Sequence, residues 1–143
     1  MKTPIETYKA IIEAWRAKDI DGVLALMDEA VVWHFAAAAE PPAIGKAGAR
    51  KLLQRMSIDI AALRWRVFDY AQTADRLFVE GVDEYDTIDG VTIAAPFAGV
   101  LEFKDGLVVA WRDYVDVGVL AAQRAGAPIS AQVKALMDRE AII

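Results

Sequence analysis

Cysteine is absent from this 143-residue chain, and histidine occurs only once. The first absence excludes disulfide bonds and thiolate metal sites, and the second excludes a histidine-rich metal centre, so we expect neither a metal nor a cofactor. The chain also has no apolar run long enough to cross a bilayer, and its amino terminus lacks the apolar core of a signal peptide. We therefore expect a cytoplasmic protein that does not bind membranes.

Positive charge is also scarce. Sixteen Lys and Arg stand against 21 Asp and Glu, which gives a net charge of −5, and the basic residues are scattered along the chain. Because phosphate binding needs a basic surface, this argues against a nucleic-acid partner. Hydrophobic residues make up 56% of the sequence, which is typical of a globular protein. We expect a single domain over residues 1–143 with one substantial core.

The first half of the sequence predicts helices. Thr3 can cap a helix that has Pro4 in its first turn and continues to about Lys18. Asp19 or Asp21 can cap a short second helix. A strand over residues 31–35 and a loop over 36–45 follow, and helical spacing of apolar residues returns over 47–58.

Four strands are predicted next, over residues 63–72, 76–88, 91–103 and 107–116, with tight-turn sequences between them. They form an antiparallel meander that needs a cover on one face, which the three helices supply. We therefore expect an α+β fold, a cone-shaped curved antiparallel sheet with helices packed in its concavity. Ser130 can cap an additional C-terminal helix within about residues 129–143.

Two acidic residues occupy positions that alternation assigns to the apolar face of their strands. Asp113 shares a strand face with Trp111, and Asp83 shares one with Gly81 and Tyr85. The opposite face of the second strand, with three acids, is interpreted as solvated. Because a buried carboxylate is costly unless it is partnered or protonated, these two acids suggest a polar pocket inside an apolar shell. The alternative is that both are held by nearby donors and only stabilise the fold.

The order of elements and the sequence VLEFKDG at 100–106, followed by WRDYVD at 111–116, resemble the nuclear transport factor 2-like superfamily. This superfamily includes SnoaL-like polyketide cyclases and ketosteroid isomerases, and the likeness is greatest to limonene-1,2-epoxide hydrolases. In those hydrolases two inward Asp residues, with an Arg between them, flank a water and the epoxide, and a Tyr and an Asn hold the water. Asp113 and Asp83 match the acids. The Arg position falls on Gly81, and the Tyr and Asn positions fall near Val32 and His34.

Several expectations about the pocket follow. Two carboxyl groups that lie close together in a dry pocket, with no arginine between them, should share a proton, so that one acts as an acid and the other as a base. The ketosteroid isomerase branch carries its general base near His34, which suggests that His34 moves protons together with the two acids. Trp111, Tyr85, Phe97 and Trp65 can form the wall of an apolar pocket, although aromatic residues on sheet faces commonly belong to the core.

Three classes of function remain open. The first is a cofactor-independent enzyme that acts on a small, mostly apolar oxygenated molecule by epoxide hydrolysis, isomerisation or cyclisation. The second is a protein that binds such a molecule without converting it. The third is an interaction protein that uses its outer sheet face. Because that face is half apolar, we also expect a homodimer that forms through the sheets.

Overall fold

The computed structural model describes all 143 residues, which form five helices and six strands. The helices are α1 (Pro4–Arg16), α2 (Ile20–Leu24), α3 (Gly45–Asp59), α4 (Val117–Arg124) and α5 (Ala131–Met137). The strands are β1 (Met27–His34), β2 (Ala43–Ile44), β3 (Ile60–Gln72), β4 (Arg76–Thr87), β5 (Thr92–Lys104) and β6 (Leu107–Val115).

The six strands form one curved open sheet in the order β2-β1-β6-β5-β4-β3. The strands from β3 to β6 pair antiparallel with their sequence neighbours, which confirms the predicted meander and the α+β class. β1 joins this meander by parallel pairing with β6, so that Trp33 lies beside Trp111 and His34 beside Arg112. This pairing brings the first strand of the chain next to the last.

The helices that open the chain cover the inner face of the sheet, which is the face that carries Asp83 and Asp113. Thr3 and Glu6 form the predicted capping box at the start of α1. Apolar side chains of α1, α2 and α3 pack with inner-face residues of the sheet in a cluster of 25 buried residues. The core therefore lies in the concavity, as the sequence predicted.

The C-terminal helices partly cover the outer face. A second cluster joins Val133 of α5 to Phe68, Val82 and Ala94 on that face. As a result Val82 and Glu84 are buried, although the sequence suggested that this whole side of β4 is solvated. Only the end near Phe78 and Glu80 is exposed. The prediction was wrong at the other end because alternation along one strand does not show what a distant helix will cover.

The side chain of Gln123 links α4 to the edge of β5. The amide of Gln123 donates to the carbonyl of Ala94 at 3.0 Å and accepts from its N–H at 2.8 Å. Asp116 caps the start of this helix by accepting hydrogen bonds from two backbone N–H groups. The end of the chain then returns to β3, where Ile142 and Ile143 form backbone hydrogen bonds with Val67.

Several boundaries differ from the prediction, and β1 begins at Met27 rather than at residue 31. β3 begins at Ile60 rather than residue 63, because α3 leads directly into the strand without an intervening turn. The predicted loop over 36–45 contains the short strand β2, whose two residues pair with β1 and are too few to produce an alternating pattern. None of the helices has the length and apolar character needed to cross a membrane.

Candidate active site

A cavity of about 440 Å³ lies in the concavity between the sheet and the helices. Eighteen of the 24 residues that line it are hydrophobic. Both its volume and its apolar lining are typical of pockets that bind small organic molecules. The lining includes both inward acids, Asp83 and Asp113.

All four tryptophans of the chain line this cavity, although they come from four different elements. Trp15 lies on α1, Trp33 on β1, Trp65 on β3 and Trp111 on β6. The ring of Trp111 stacks on that of Trp33, with centroids 4.8 Å apart, and on that of Trp65, with centroids 5.9 Å apart. Phe97 meets Trp65 edge-on. The sheet side of the cavity is therefore a rigid aromatic wall.

Asp113 has space for its carboxyl group because Gly99 lies beside it on β5. A Cβ atom at Gly99 would lie only 2.4 Å from Oδ1 of Asp113, so a larger residue would displace the acid. The same oxygen accepts a hydrogen bond of 2.9 Å from the indole Nε1 of Trp111. The sequence thus provides both a place for this carboxyl group and one donor to orient it.

Asp83 lies on β4 between Trp65 on one neighbouring strand and Ala95 on the other. Its carboxyl group forms no hydrogen bond or ion pair with the rest of the protein. The neighbouring acids Glu84 and Asp86 point to the opposite face, where they pair with Arg64. Alternation along β4 therefore separates one unpartnered acid in the cavity from two paired acids outside it.

Burial is the main cause of a raised pKa at both Asp83 and Asp113. It raises the pKa of Asp83 to about 6. For Asp113, burial raises the pKa to about 7; the hydrogen bond from Trp111 opposes this rise, and the charge of Asp83 adds to it. No cationic side chain is among the causes of either shift. Both groups therefore exchange protons near neutral pH, a range in which ordinary carboxyl groups are fully ionised.

The two acids lie too far apart along the sheet to share one proton directly. Asp83 pairs with Ala95 and Asp113 with Gly99, so they are offset by four residues on β5, or about 13 Å along the strand direction. They also lie on strands separated by β5. The condition for a directly shared proton, that the two carboxyl groups lie close together, is therefore not met, although the charge of Asp83 adds to the rise in the pKa of Asp113. Each carboxyl group instead faces its own region of the same cavity.

Residues 8–111 match the model of the SnoaL-like domain. The chain belongs to this family. No curated protein matches its sequence.

Solved structures similar to this SnoaL-like chain share its fold at low sequence identity. An NTF2-like protein of unknown function from Burkholderia pseudomallei is 20% identical, with a TM-score of 0.76, over 86% of this chain and 98% of that one. A putative polyketide cyclase from Pseudomonas putida is 20% identical, with a TM-score of 0.74, over 86% and 98%. A limonene-epoxide-hydrolase-like epoxide hydrolase of Mycobacterium tuberculosis is 22% identical, with a TM-score of 0.71, over 83% and 86%. These likenesses confirm the suspected nuclear transport factor 2-like fold.

The cavity brings together most of the residues singled out in the sequence. Asp83, Asp113, Trp111, Tyr85 and Phe97 all line it, and so does Trp65. Three others do not line it: Val32, His34 and Gly81.

His34 and Val32 lie on the outer face of β1, opposite Trp33. Successive side chains of a strand point to opposite faces, so a position beside a lining residue is turned away from the cavity. Nδ1 of His34 is buried there without a hydrogen-bond partner. The prediction that His34 and Val32 belong to the pocket was therefore wrong.

Gly81 faces inward but is covered. A Cβ atom at this position would lie 2.2 Å from the carbonyl oxygen of Arg66 and 3.0 Å from the ring of Phe97. Phe97 therefore occupies the place where a larger side chain at Gly81 would enter the cavity. This explains why Gly81 does not line the cavity, and why an arginine could not be accommodated there without movement of the backbone.

Two arginines at the cavity were missed by sequence reasoning. Arg124 of α4 donates a hydrogen bond of 2.7 Å to the hydroxyl of Tyr85, and Arg55 of α3 lies over the ring of Phe35. Both are exposed at their outer ends and also line the cavity. Nothing in the local sequence distinguishes them from solvated surface residues, because their position depends on how α3 and α4 dock.

Proposed function

We propose that this protein is a cofactor-independent enzyme that moves protons on a small, mainly apolar oxygenated molecule. The observation that supports this most strongly is the presence of two carboxyl groups, each with a pKa near neutral, in one aromatic-walled cavity. General acid–base catalysis is most effective when the pKa of the catalytic group lies near the working pH. Two buried acids without a cationic partner destabilise the folded state, so a functional role would explain their presence.

The difference in pKa suggests a division of roles. Between about pH 6 and 7, Asp83 is the more ionised group and is suited to accept a proton, whereas Asp113 is the more protonated group and is suited to donate one. The indole of Trp111 fixes one oxygen of Asp113, which leaves the other carboxyl oxygen free to face a ligand. A substrate between the two groups would lose a proton at one position and gain one at another.

The lining of the cavity favours isomerisation or ring closure over hydrolysis. It contains no Ser, Thr, Asn, Gln or His, and the hydroxyl of Tyr85 already accepts from Arg124. Epoxide hydrolysis needs a water molecule held against the substrate and deprotonated. The unpartnered uncharged groups of the lining include the indole N–H groups of Trp33 and Trp65, which can donate a hydrogen bond to a water but cannot accept one from it. The polyketide cyclases among the structural neighbours agree with a proton-transfer reaction of this kind.

Epoxide hydrolysis remains the second candidate, because Asp83 and Asp113 match the acid pair of the limonene-epoxide hydrolases and one structural neighbour is an epoxide hydrolase. A protein that holds its ligand without converting it is the third.

The test is turnover of three substrate classes: cyclic enones with a movable double bond, polyketide-like diketones, and terpene epoxides. We expect turnover of an enone or diketone, and a loss of at least about 100-fold in kcat for Asp113→Asn and for Asp83→Asn. The matched control is Asp89→Asn, which changes an exposed acid outside the cavity. Full activity in both cavity variants would contradict the proposal, and tight binding with no turnover by the unmodified protein would favour the binding function.

A further inference from the structure

Three aromatic residues are neighbours of Asp83 on the inner face of the sheet. Trp65 pairs with Asp83 across the β3–β4 ladder, Tyr85 follows two residues later on the same face, and Phe97 lies diagonally opposite on β5. All three line the cavity. Directly paired side chains have Cβ atoms about 5 Å apart, so these rings lie within reach of a group bound at Asp83. Ala95, the partner of Asp83 on the other side, is small and leaves room for such a group.

The carboxyl group of Asp83 has no positively charged partner within the protein. Asp83 accepts no hydrogen bond, and no cation of the protein shifts its pKa. Aromatic faces attract cations through their quadrupole, and the attraction increases when water is excluded. A carboxylate beside three aromatic rings is therefore complementary to a positively charged nitrogen that carries apolar substituents.

We propose that the ligand of this cavity carries an ammonium group, which binds at Asp83 between Trp65, Tyr85 and Phe97. The apolar remainder of the ligand extends along the tryptophan wall towards Asp113. This inference concerns the cavity of the proposed function and adds a chemical group to its ligand, but it does not require turnover.

The other charged groups of the cavity are compatible with a cation. Glu40 and Asp59 line it together with Arg55 and Arg124, and none of these four forms an ion pair. Their charges cancel, so the charge that remains is that of Asp83 and Asp113. Tyr8, which is buried beside Trp65 and Trp111, stays neutral because burial and the two acids raise its pKa. The cavity therefore becomes more negative as Asp83 and Asp113 lose their protons with rising pH.

A pair of isosteric probes tests the inference. The cation 4-(hydroxymethyl)-N,N,N-trimethylanilinium and the neutral 4-tert-butylbenzyl alcohol have nearly the same shape and differ in charge. We expect the cation to bind at least about tenfold more tightly at pH 8, measured by calorimetry and by quenching of the four tryptophans. The preference should decrease towards pH 5, because the quaternary nitrogen cannot titrate and the carboxyl groups of the cavity become protonated.

Substitutions show whether the preference for the cation depends on the carboxyl group of Asp83. Asp83→Asn should reduce the preference to about one, whereas Asp113→Asn and the surface control Asp89→Asn should retain most of it. Trp65→Leu should weaken binding of the cation more than that of the alcohol.

Three outcomes would each overturn the inference. They are equal binding of the two probes to the unmodified protein, absence of binding of either probe, and a preference for the cation that survives Asp83→Asn in a folded protein. The pH dependence of the unmodified protein supplies the answer if a variant does not fold. None of these readouts depends on catalysis, so the inference and the proposed function can fail separately.

Discussion

At the scale of single residues, the cavity contains two acids at positions where an apolar residue would be less costly to bury. Asp83 and Asp113 replace apolar residues on a buried strand face, and each is accommodated by a small neighbour, Ala95 for the first and Gly99 for the second. Neither acid has a cationic partner. Most acids elsewhere on β4 are paired, as Glu84 and Asp86 are with Arg64. On β4, the one acid without a cationic partner is therefore the one that faces the cavity.

This arrangement predicts an unusual dependence of stability on pH. Asp83 and Asp113 have pKa values of about 6 and 7 in the folded state, against about 3.9 in an unfolded chain. The folded state therefore binds more protons between about pH 4 and 7, and the free energy of unfolding should fall as the pH rises through this window. We expect a loss of the order of 1–3 kcal/mol for each group.

Urea denaturation at pH 5 and pH 7.5, at constant ionic strength, measures this loss. Asp83→Asn should remove its share of the pH dependence, and Asp89→Asn should leave the dependence unchanged. Asp86, whose pKa is lowered to about 2 by Arg64, loses its contribution only at more acidic pH and does not mask the effect. An unfolding free energy that increases from pH 5 to pH 7.5 would contradict the prediction.

At the scale of elements, the first three helices and every strand except β2 could be predicted, because each has a regular apolar period. The inward position of Asp83 and Asp113 followed from alternation alone. The position of His34 did not, because both faces of β1 carry apolar residues and alternation cannot decide which face is buried. The parallel pairing with β6 settles it by placing Trp33 beside Trp111. That pairing joins strands far apart in the sequence, so no local pattern reveals it.

α4 is not among the helices predicted above, and the side chain of Gln123 links it to the sheet. Gln123 satisfies both the N–H and the carbonyl of Ala94, and α4 carries Val117, Leu120 and Arg124 at the cavity. We expect Gln123→Ala to lower the unfolding free energy by about 2–4 kcal/mol, because two buried backbone groups lose their partners. It should also speed hydrogen exchange at the Ala94 amide and release Arg124 from Tyr85.

The matched control for this change is Gln132→Ala, because Gln132 is an exposed residue of α5. Exchange measured by NMR at Ala94 separates the loss of this contact from a general loss of stability. If Ala94 exchanged at the same rate in the variant as in the unmodified protein, the link between Gln123 and β5 would not hold α4 in place.

At the scale of the whole molecule, the two faces of the sheet differ in what covers them. The inner face is filled by α1, α2 and α3 around the cavity. The outer face is only partly covered, by the C-terminal helices, where Val133 of α5 packs with Phe68, Val82 and Ala94. The sequence indicated the first cover, since three amphipathic helices precede the sheet. It did not indicate the second, because α5 is short and only its contact with a distant part of the sheet shows which face it protects.

The uncovered part of the outer face motivates the last prediction. Phe78 and Tyr114 are 45% and 52% exposed, and β5 places Val100 and Ala98 beside them in the ladder. We propose that a second copy of the chain packs on this patch by a two-fold contact, because a patch of this kind is rarely left in water and identical copies most often associate by two-fold symmetry.

Light scattering measures the oligomeric state. At a protein concentration of tens of micromolar, above a dissociation constant of about 1 μM, it should show a dimer. Tyr114→Glu should convert the dimer to a monomer with an intact cavity. The control Tyr70→Glu should leave the dimer intact, because Tyr70 is exposed on the inner-face side of the edge strand β3. A monomer of the unmodified protein at this concentration would contradict the proposal, because burial of the patch is its only motive.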